Sequence, residues 1–434
     1  MRDERPSREL GDEALNQKPG YEAPDVPVRS VTRRLHRIRF DRNELAGSFG
    51  DVGTDLPLLV GLVAASGLDG ASVFTVFGAL QIFTGLVYGL PMPMQPLKAM
   101  AALAIAQKLP GSLLFGGGLA IGATMLILTL SGGLGLLARW IPRCVVRGIQ
   151  LGLGLSLASL ALKGFIPSEG GLGWVLAATG FFAMLALWGS RRVPPGLLVL
   201  GLGAIWALAS GLHLGVIKDG LGITLPSFRV PSPADILTGF WVLAIPQLPL
   251  SLSNSVIATE QTIRDLFPER RVGIRKIGFT YSFVNLVAPF FGGVPVCHGA
   301  GGLAGHYTFG ARTGGSVVIY GALLLGLGLF LGGPLQEVLG IFPRPILGVV
   351  LLFEALALLG LVRDQAGSVR DLSIALLVGV VAFGVPQGFA VALILGTLVY
   401  YGFRRFGTSV ADEPAGHTPA AKAPEPAAAQ GGRS

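Results

Sequence analysis

Charge is scarce in this chain. Only 13% of its 434 residues are Asp, Glu, Lys or Arg, against about a quarter in a soluble globular protein. With a mean hydropathy of +0.64, that shortage excludes an ordinary water-soluble domain. Cysteine is almost missing: Cys144 and Cys297 lie far apart, in or beside apolar runs, which excludes a disulfide framework or a zinc-ligand cluster. The N-terminal string MRDERPSREL has no apolar core, so no cleavable signal peptide is expected. The sequence has no P-loop string, no HExxH and no G-x-S-x-G in context. Neither an ATP motor within this chain nor a membrane hydrolase is therefore expected, and no cofactor is called for. The alternating ten-residue segments of a membrane β-barrel are absent as well.

Glycine is what the chain has in excess: 65 residues, roughly twice the usual share of about 7%. The glycines sit in apolar runs of membrane-spanning length, punctuated by proline, which is the pattern of an all-α polytopic membrane protein. The runs fall at 45–66, 71–90, 96–107, 113–138, 144–165, 172–190 and 195–217, and then at 236–260, 277–292, 299–306, 314–333, 340–361, 371–385 and 387–403. The chain thus divides into a polar cytoplasmic tail (1–40), a first membrane repeat (41–217), a linker (218–235), a second repeat (236–406) and a Pro/Ala-rich, low-complexity tail (407–434) expected to be disordered. Fourteen crossings that begin inside put Arg139, Arg143, Arg191, Arg192, the RDLFPERRVGIRK loop, Arg363, Arg370, Arg404 and Arg405 on the cytoplasmic side. That is the positive-inside bias. It accounts for the net charge of +8 without nucleic acid as a partner, and it leaves both termini cytoplasmic.

Two runs are too short to span. The twelve residues 96–107 give a helix of roughly 18 Å against a hydrocarbon core of about 30 Å, and the run after PVCHG is shorter still. Both look like half-helices preceded by a Pro-containing extended stretch. They also correspond. PMPMQP at 91 echoes VPVCHG at 294, and WIPRCVVRGIQLG at 140 echoes IFPRPILGVVLLF at 341. Seven crossings per repeat give the halves opposite orientations, and broken segments at matching positions of inverted repeats point to a transport site.

The breaks imply an anion. A helix that starts in mid-membrane leaves its first N–H groups without partners and carries partial positive charge at that end. Pro96 suits the first helical position, Gln95 offers an amide donor just before it, and Lys98 adds a full charge in the first turn. A lysine at that depth costs about 2.5–3.5 kcal/mol on insertion scales, so it is expected to face a wet or anionic cavity rather than to snorkel or cap a neighbouring carbonyl. In the second half Cys297, His298, Gly299 and Ala300 take the same place. Glycine there lets a ligand approach the backbone. His298 either donates to the anion, carries a proton, or is a neutral imidazole satisfied by a backbone carbonyl. Asp51, Asp55 and Glu354 are intramembrane acids and therefore candidate proton carriers. Asp51 and Asp55 serve equally well as partners for Lys98, while Glu354 reads rather as an internal hydrogen-bonding partner. Asn254 lies with Gln247 and Glu260 on the first helix of the second half and joins the binding candidates; Glu260 reads as an interfacial charge.

The strings GDVGTDLP, PMPMQPLKAMAALAI, QLPLSLSNSVIA and PVCHGAGGLAGHYTFGARTG together resemble the molybdate transporter family, distant relatives of the SulP sulfate permeases. The resemblance covers about 45–405. It implies a carrier of tetrahedral oxyanions, with molybdate first and tungstate or sulfate as neighbours. It also implies the seven-plus-seven inverted-repeat fold of uracil-permease and SulP carriers, in which two half-helices preceded by short strands bind substrate between their ends, here at Gln95–Lys98 and Cys297–Ala300. The roughly 28 polar residues at the end are too few for the STAS domain that SulP proteins usually carry. The expectation is a proton-coupled importer in the plasma or inner membrane, working by elevator-like movement, with a homodimer as one assembly. Sulfate permease, anion exchanger and passive channel are the alternatives.

Overall fold

The computed structural model describes residues 38–187, 195–210, 221–386 and 388–406. Residues 1–37 of the expected N-terminal tail, the Arg191/Arg192 loop, the first residues of the linker and the 407–434 tail lie outside the described residues, as does the side chain of Arg139.

Among the described residues the regular elements are helices apart from two short strands. In order come α1 (Arg42–Gly47), α2 (Val52–Ser66), α3 (Gly70–Tyr88), strand β1 (Met94–Pro96), α4 (Lys98–Gln107), α5 (Gly111–Leu130), α6 (Gly133–Trp140), α7 (Arg143–Leu160), α8 (Gly170–Ala186) and α9 (Pro195–Ala209). The second half has α10, one helical stretch over Pro233–Leu266, then α11 (Ile274–Val287), β2 (Val296–His298), α12 (Ala300–Thr308), α13 (Gly315–Phe330), α14 (Gly332–Ile341), α15 (Arg344–Gly360), α16 (Val369–Gly384) and α17 (Gly388–Phe406). Among the described residues five helical stretches are long and apolar enough to cross a membrane: α3, α5, Arg143–Ala186, Pro233–Leu266 and Arg344–Gln365. Others are shortened by breaks. The first apolar run splits at Ser48–Asp51 into α1 and α2, and α14 turns 96° away from α13.

The two extended stretches meet each other. β1 and β2 form an antiparallel pair in the register Met94↔His298, Gln95↔Cys297 and Pro96↔Val296. A two-stranded ladder has two open edges, and in a membrane interior an unpaired backbone group costs several kcal/mol. Carboxamides close both. Gln81 on α3 donates from Nε2 to the Met94 carbonyl (2.8 Å) and accepts the Met94 N–H (2.9 Å). Asn285 on α11 does the same for Val296, at 2.7 and 2.9 Å. Each side chain takes the place of a missing neighbouring strand.

Glycine sets the helix spacing around this ladder. Gly78 on α3 and Gly321 on α13 are so close that a Cβ on either would strike the other's carbonyl oxygen. α5 makes similar approaches to α10 and α11, at Gly117–Gly239 and at Gly122–Asn285, and α7 lies on α16 through Gly148 against Val378. α10 is irregular, with π-helical turns at Phe240–Ala244 and Ser251–Ala258 around Pro246 and Pro249. Proline removes a ladder donor and favours such local loosening.

Candidate functional site

Both half-helices start next to the ladder. α4 begins at Lys98 with Leu97 as its N-cap, two residues later than expected. Pro96 lies within β1, paired with Val296, so its missing N–H is absorbed by the strand rather than by the first helical position. Lys98 reaches across to α15 and forms an ion pair with Glu354, whose second oxygen accepts from Thr54 Oγ1 at 3.5 Å. The sequence offered Asp51 or Asp55 as partners for Lys98; the geometry selects Glu354. Both side chains of the pair keep 17% exposure.

Gln95 is directed to the same place but is already engaged. Its Nε2 lies 2.7 Å from both oxygens of Asp51, the residue just before α2. The packing here is tight: a Cβ on Gly299 would strike the Gln95 amide, and one on Gly302 would strike the Asp51 carboxylate. Asp55, one turn further along α2, is fully buried, and neither of its oxygens has a hydrogen-bond partner; the Tyr320 hydroxyl from α13 is unpartnered beside it. Three carboxylates and one ammonium thus share one buried volume, with Cys297 opposite Gln95 on the neighbouring strand.

The two helix N-termini are not equivalent. The Gln247 side chain of α10 accepts the N–H groups of Ala99 and Met100 (3.0 and 3.4 Å) and passes a hydrogen bond to Ser251 (3.2 Å), which meets Tyr281 at 2.7 Å. The first donors of α4 are therefore satisfied inside the protein. α12 has no side-chain cap at Gly299, its first backward bond is Leu303 N–H to Gly299 (3.0 Å), and Gly301 faces open space. Partial positive charge is left there for a ligand.

His298 alternates to the far side of β2 from Cys297. Its Nε2 meets Thr280 Oγ1 at 2.7 Å and its ring packs edge-on to Tyr88, while Nδ1 has no partner. It is thus turned away from Lys98. Asn254 is also elsewhere: it lines a cavity of about 550 Å³ with Arg143, Arg147 and Gln150. A second cavity of about 430 Å³ lies at the other end of α4, lined by Gln107, Ser156, Ser159 and Lys163 among others. Glu260 forms an (i, i+4) ion pair with Arg264 at 2.9 Å. Among the described residues no group of three or more His, Cys, Asp or Glu side chains is arranged to hold a metal ion.

Sequence reading missed Gln81, Asn285 and Tyr281. A signal for the first two was present: each is a carboxamide flanked by apolar residues within a helix, 13 and 11 residues before the strand residue it holds.

Residues 43–157 and 239–358 match a family described as molybdate transporters of the MFS superfamily. The chain is 33% identical to "Molybdate transporter 1" of Arabidopsis thaliana, over 87% of this chain and 92% of that protein. It is 34% identical to "Molybdate transporter 2" of the same plant, over 77% and 82%. Among solved structures, the transmembrane domain of a cyanobacterial bicarbonate transporter, BicA, superposes with a TM-score of 0.61 at 16% identity, covering 84% of this chain and 98% of that one. That likeness concerns the fold.

Proposed function

The chain belongs to the molybdate transporter family, an integral membrane family of anion carriers, and on that premise we propose that it imports molybdate as a secondary active transporter. The observation that carries this reading is the meeting of two half-helices at a paired strand, with Lys98 on the first residue of one and uncapped N–H groups on the other. A tetrahedral dianion there gains one full and one partial positive charge and backbone donors that no side chain has claimed. The wider plan we propose is fourteen segments in two inverted sets of seven, with both termini cytoplasmic in the plasma or inner membrane and a homodimer as one possible assembly. The matched carboxamides Gln81 and Asn285, and the matched pairs α3–α13 and α11–α5, support that symmetry.

Coupling to protons follows from charge. Two negative charges entering against 100 mV meet roughly 4–5 kcal/mol of opposition. Locally, Lys98 is held by Glu354 and Gln95 by Asp51. A proton on Glu354 releases Lys98 toward the oxyanion, and a proton on Asp51 weakens its hold on Gln95. Asp55 is the third candidate, because it is fully buried with the Tyr320 hydroxyl beside it.

The test is uptake of labelled molybdate into proteoliposomes under an imposed pH gradient, with sulfate or tungstate added. Accumulation beyond electrochemical equilibrium, resistant to equimolar sulfate, is expected. Complete competition by equimolar sulfate replaces the reading with a sulfate permease or exchanger, and uptake that never passes equilibrium replaces it with a channel.

A further inference from the structure

The π-helical turn Ser251–Ala258 of α10 has two faces. Ser251 and Ser255 are buried, and Ser251 joins the chain of hydrogen bonds that ends on the start of α4. Ser253, Asn254 and Ile257 of the same turn instead line the 550 Å³ cavity, which Arg143, Arg147 and Gln150 of α7 line with them. One turn of helix thus contributes both to the binding centre and to this cavity.

The cavity holds polar groups that the protein leaves unsatisfied. Gln150 is 4% exposed; its Oε1 accepts from Arg147 Nη1 at 2.9 Å, and its Nε2 has no partner among the described hydrogen bonds. The Asn254 side-chain amide likewise has none. Both side chains line the cavity, so their amide N–H groups are available to an acceptor bound there. The charge balance says which kind. Arg147 is paired with Asp364 through Nε at 2.7 Å and through Nη2, whereas Arg143 is exposed and in no ion pair among the described residues. On the adjoining helix Glu260 pairs with Arg264, and Asp265 accepts from the neutral Gln261 amide. The lining itself carries two arginines and no carboxylate, and the partial positive charge at the start of α7 behind Pro142 adds to Arg143.

We propose that this cavity is a second oxyanion subsite, one that receives the dianion as it leaves Lys98 on the cytoplasmic side. The proposal rests on the transport reading above. Two neutral amides and an exposed arginine hold a tetrahedral oxyanion more loosely than a lysine between two helix ends, which a release station requires. Because its charge is exposed, its affinity falls with ionic strength.

The test is equilibrium binding of labelled molybdate to the full chain in nanodiscs at low and physiological salt. Two classes of site are expected. Lys98→Ala removes the tighter class. Gln150→Leu with Asn254→Leu weakens the looser class about a hundredfold or more, the loss of two hydrogen bonds to a charged ligand. Arg143→Gln, a change at an exposed side chain, weakens the looser class and flattens its salt dependence, and it decides the matter if the double variant fails to fold. A single class abolished by Lys98→Ala overturns the subsite and leaves the central reading intact. A looser class that ignores all three substitutions overturns it too. A tighter class that survives Lys98→Ala counts against the central reading, not against the subsite.

Discussion

Lys98 and Glu354 illustrate what one residue does and does not disclose. A lysine at the head of a truncated apolar run is visible in the sequence, because a charge at that depth needs a purpose. Its partner is not visible, since Glu354 lies 256 positions away and two nearer acids offer the same chemistry. The pair is only partly buried, so removing one member does not strand a fully enclosed charge. Lys98→Ala is therefore expected to fold and to lose molybdate binding by about a hundredfold or more, the worth of a charge-assisted contact of ~3 kcal/mol; a binding isotherm beside a thermal melt checks both halves. Unchanged affinity would make Lys98 a structural cation only. Glu354→Gln keeps the shape and removes the titrating group. Its uptake is expected to continue down a molybdate gradient and to stop responding to an imposed pH gradient. If the response persists, the proton belongs to Asp51 or Asp55, and the corresponding Asn variants separate them.

At the scale of elements, the ladder of β1 and β2 supports both half-helices, and its edges depend on Gln81 and Asn285. Replacing either carboxamide with leucine leaves the N–H and C=O of Met94 or Val296 buried without partners. At about 1–3 kcal/mol per group, each substitution is expected to destabilise the protein by roughly 2–6 kcal/mol. Melting in lipid should fall by similar amounts for Gln81→Leu and Asn285→Leu, because the two positions do the same work; a large loss from one alone would break the proposed symmetry. The half-helices were readable because length and proline suffice to rule out a full span. The strands were not readable from residues: three residues are too few for an alternation of period two, and Pro96 suits a helix start as well as a strand. The prolines disclosed an extended stretch before each half-helix; resemblance to known carriers was what made those stretches strands. His298 escaped for a related reason. Its orientation depends on strand parity, which turns it to Thr280 and not to Lys98.

Among the close glycine contacts of the molecule, one group pairs α3 with α13 and α5 with α10 and α11, and a second joins α7 to α15 and α16 through Gly148, Gly152 and Gly154. Lys98 belongs to an element beside the first group and Glu354 to an element of the second, so the ion pair bridges the two. This arrangement suits relative movement of two bodies around the site, which the sequence could suggest only through resemblance, since packing partners lie hundreds of positions apart. Between the groups, α2 and α9 touch where a Cβ on Gly196 would come within 2.8 Å of Gly53 Cα. If the bodies slide there, Gly196→Ala obstructs one end of the stroke: the transport rate is expected to fall severalfold while molybdate affinity holds. Gly148→Ala, set inside one body against Val378, instead overpacks a static contact and is expected to cost about 1–3 kcal/mol of stability with little change in the rate per folded molecule. Rate, affinity and melting temperature measured on both variants separate a moving interface from a fixed one. If Gly196→Ala lowers the melting temperature as Gly148→Ala does and leaves the rate unchanged, α2 and α9 travel together and the sliding surface lies elsewhere.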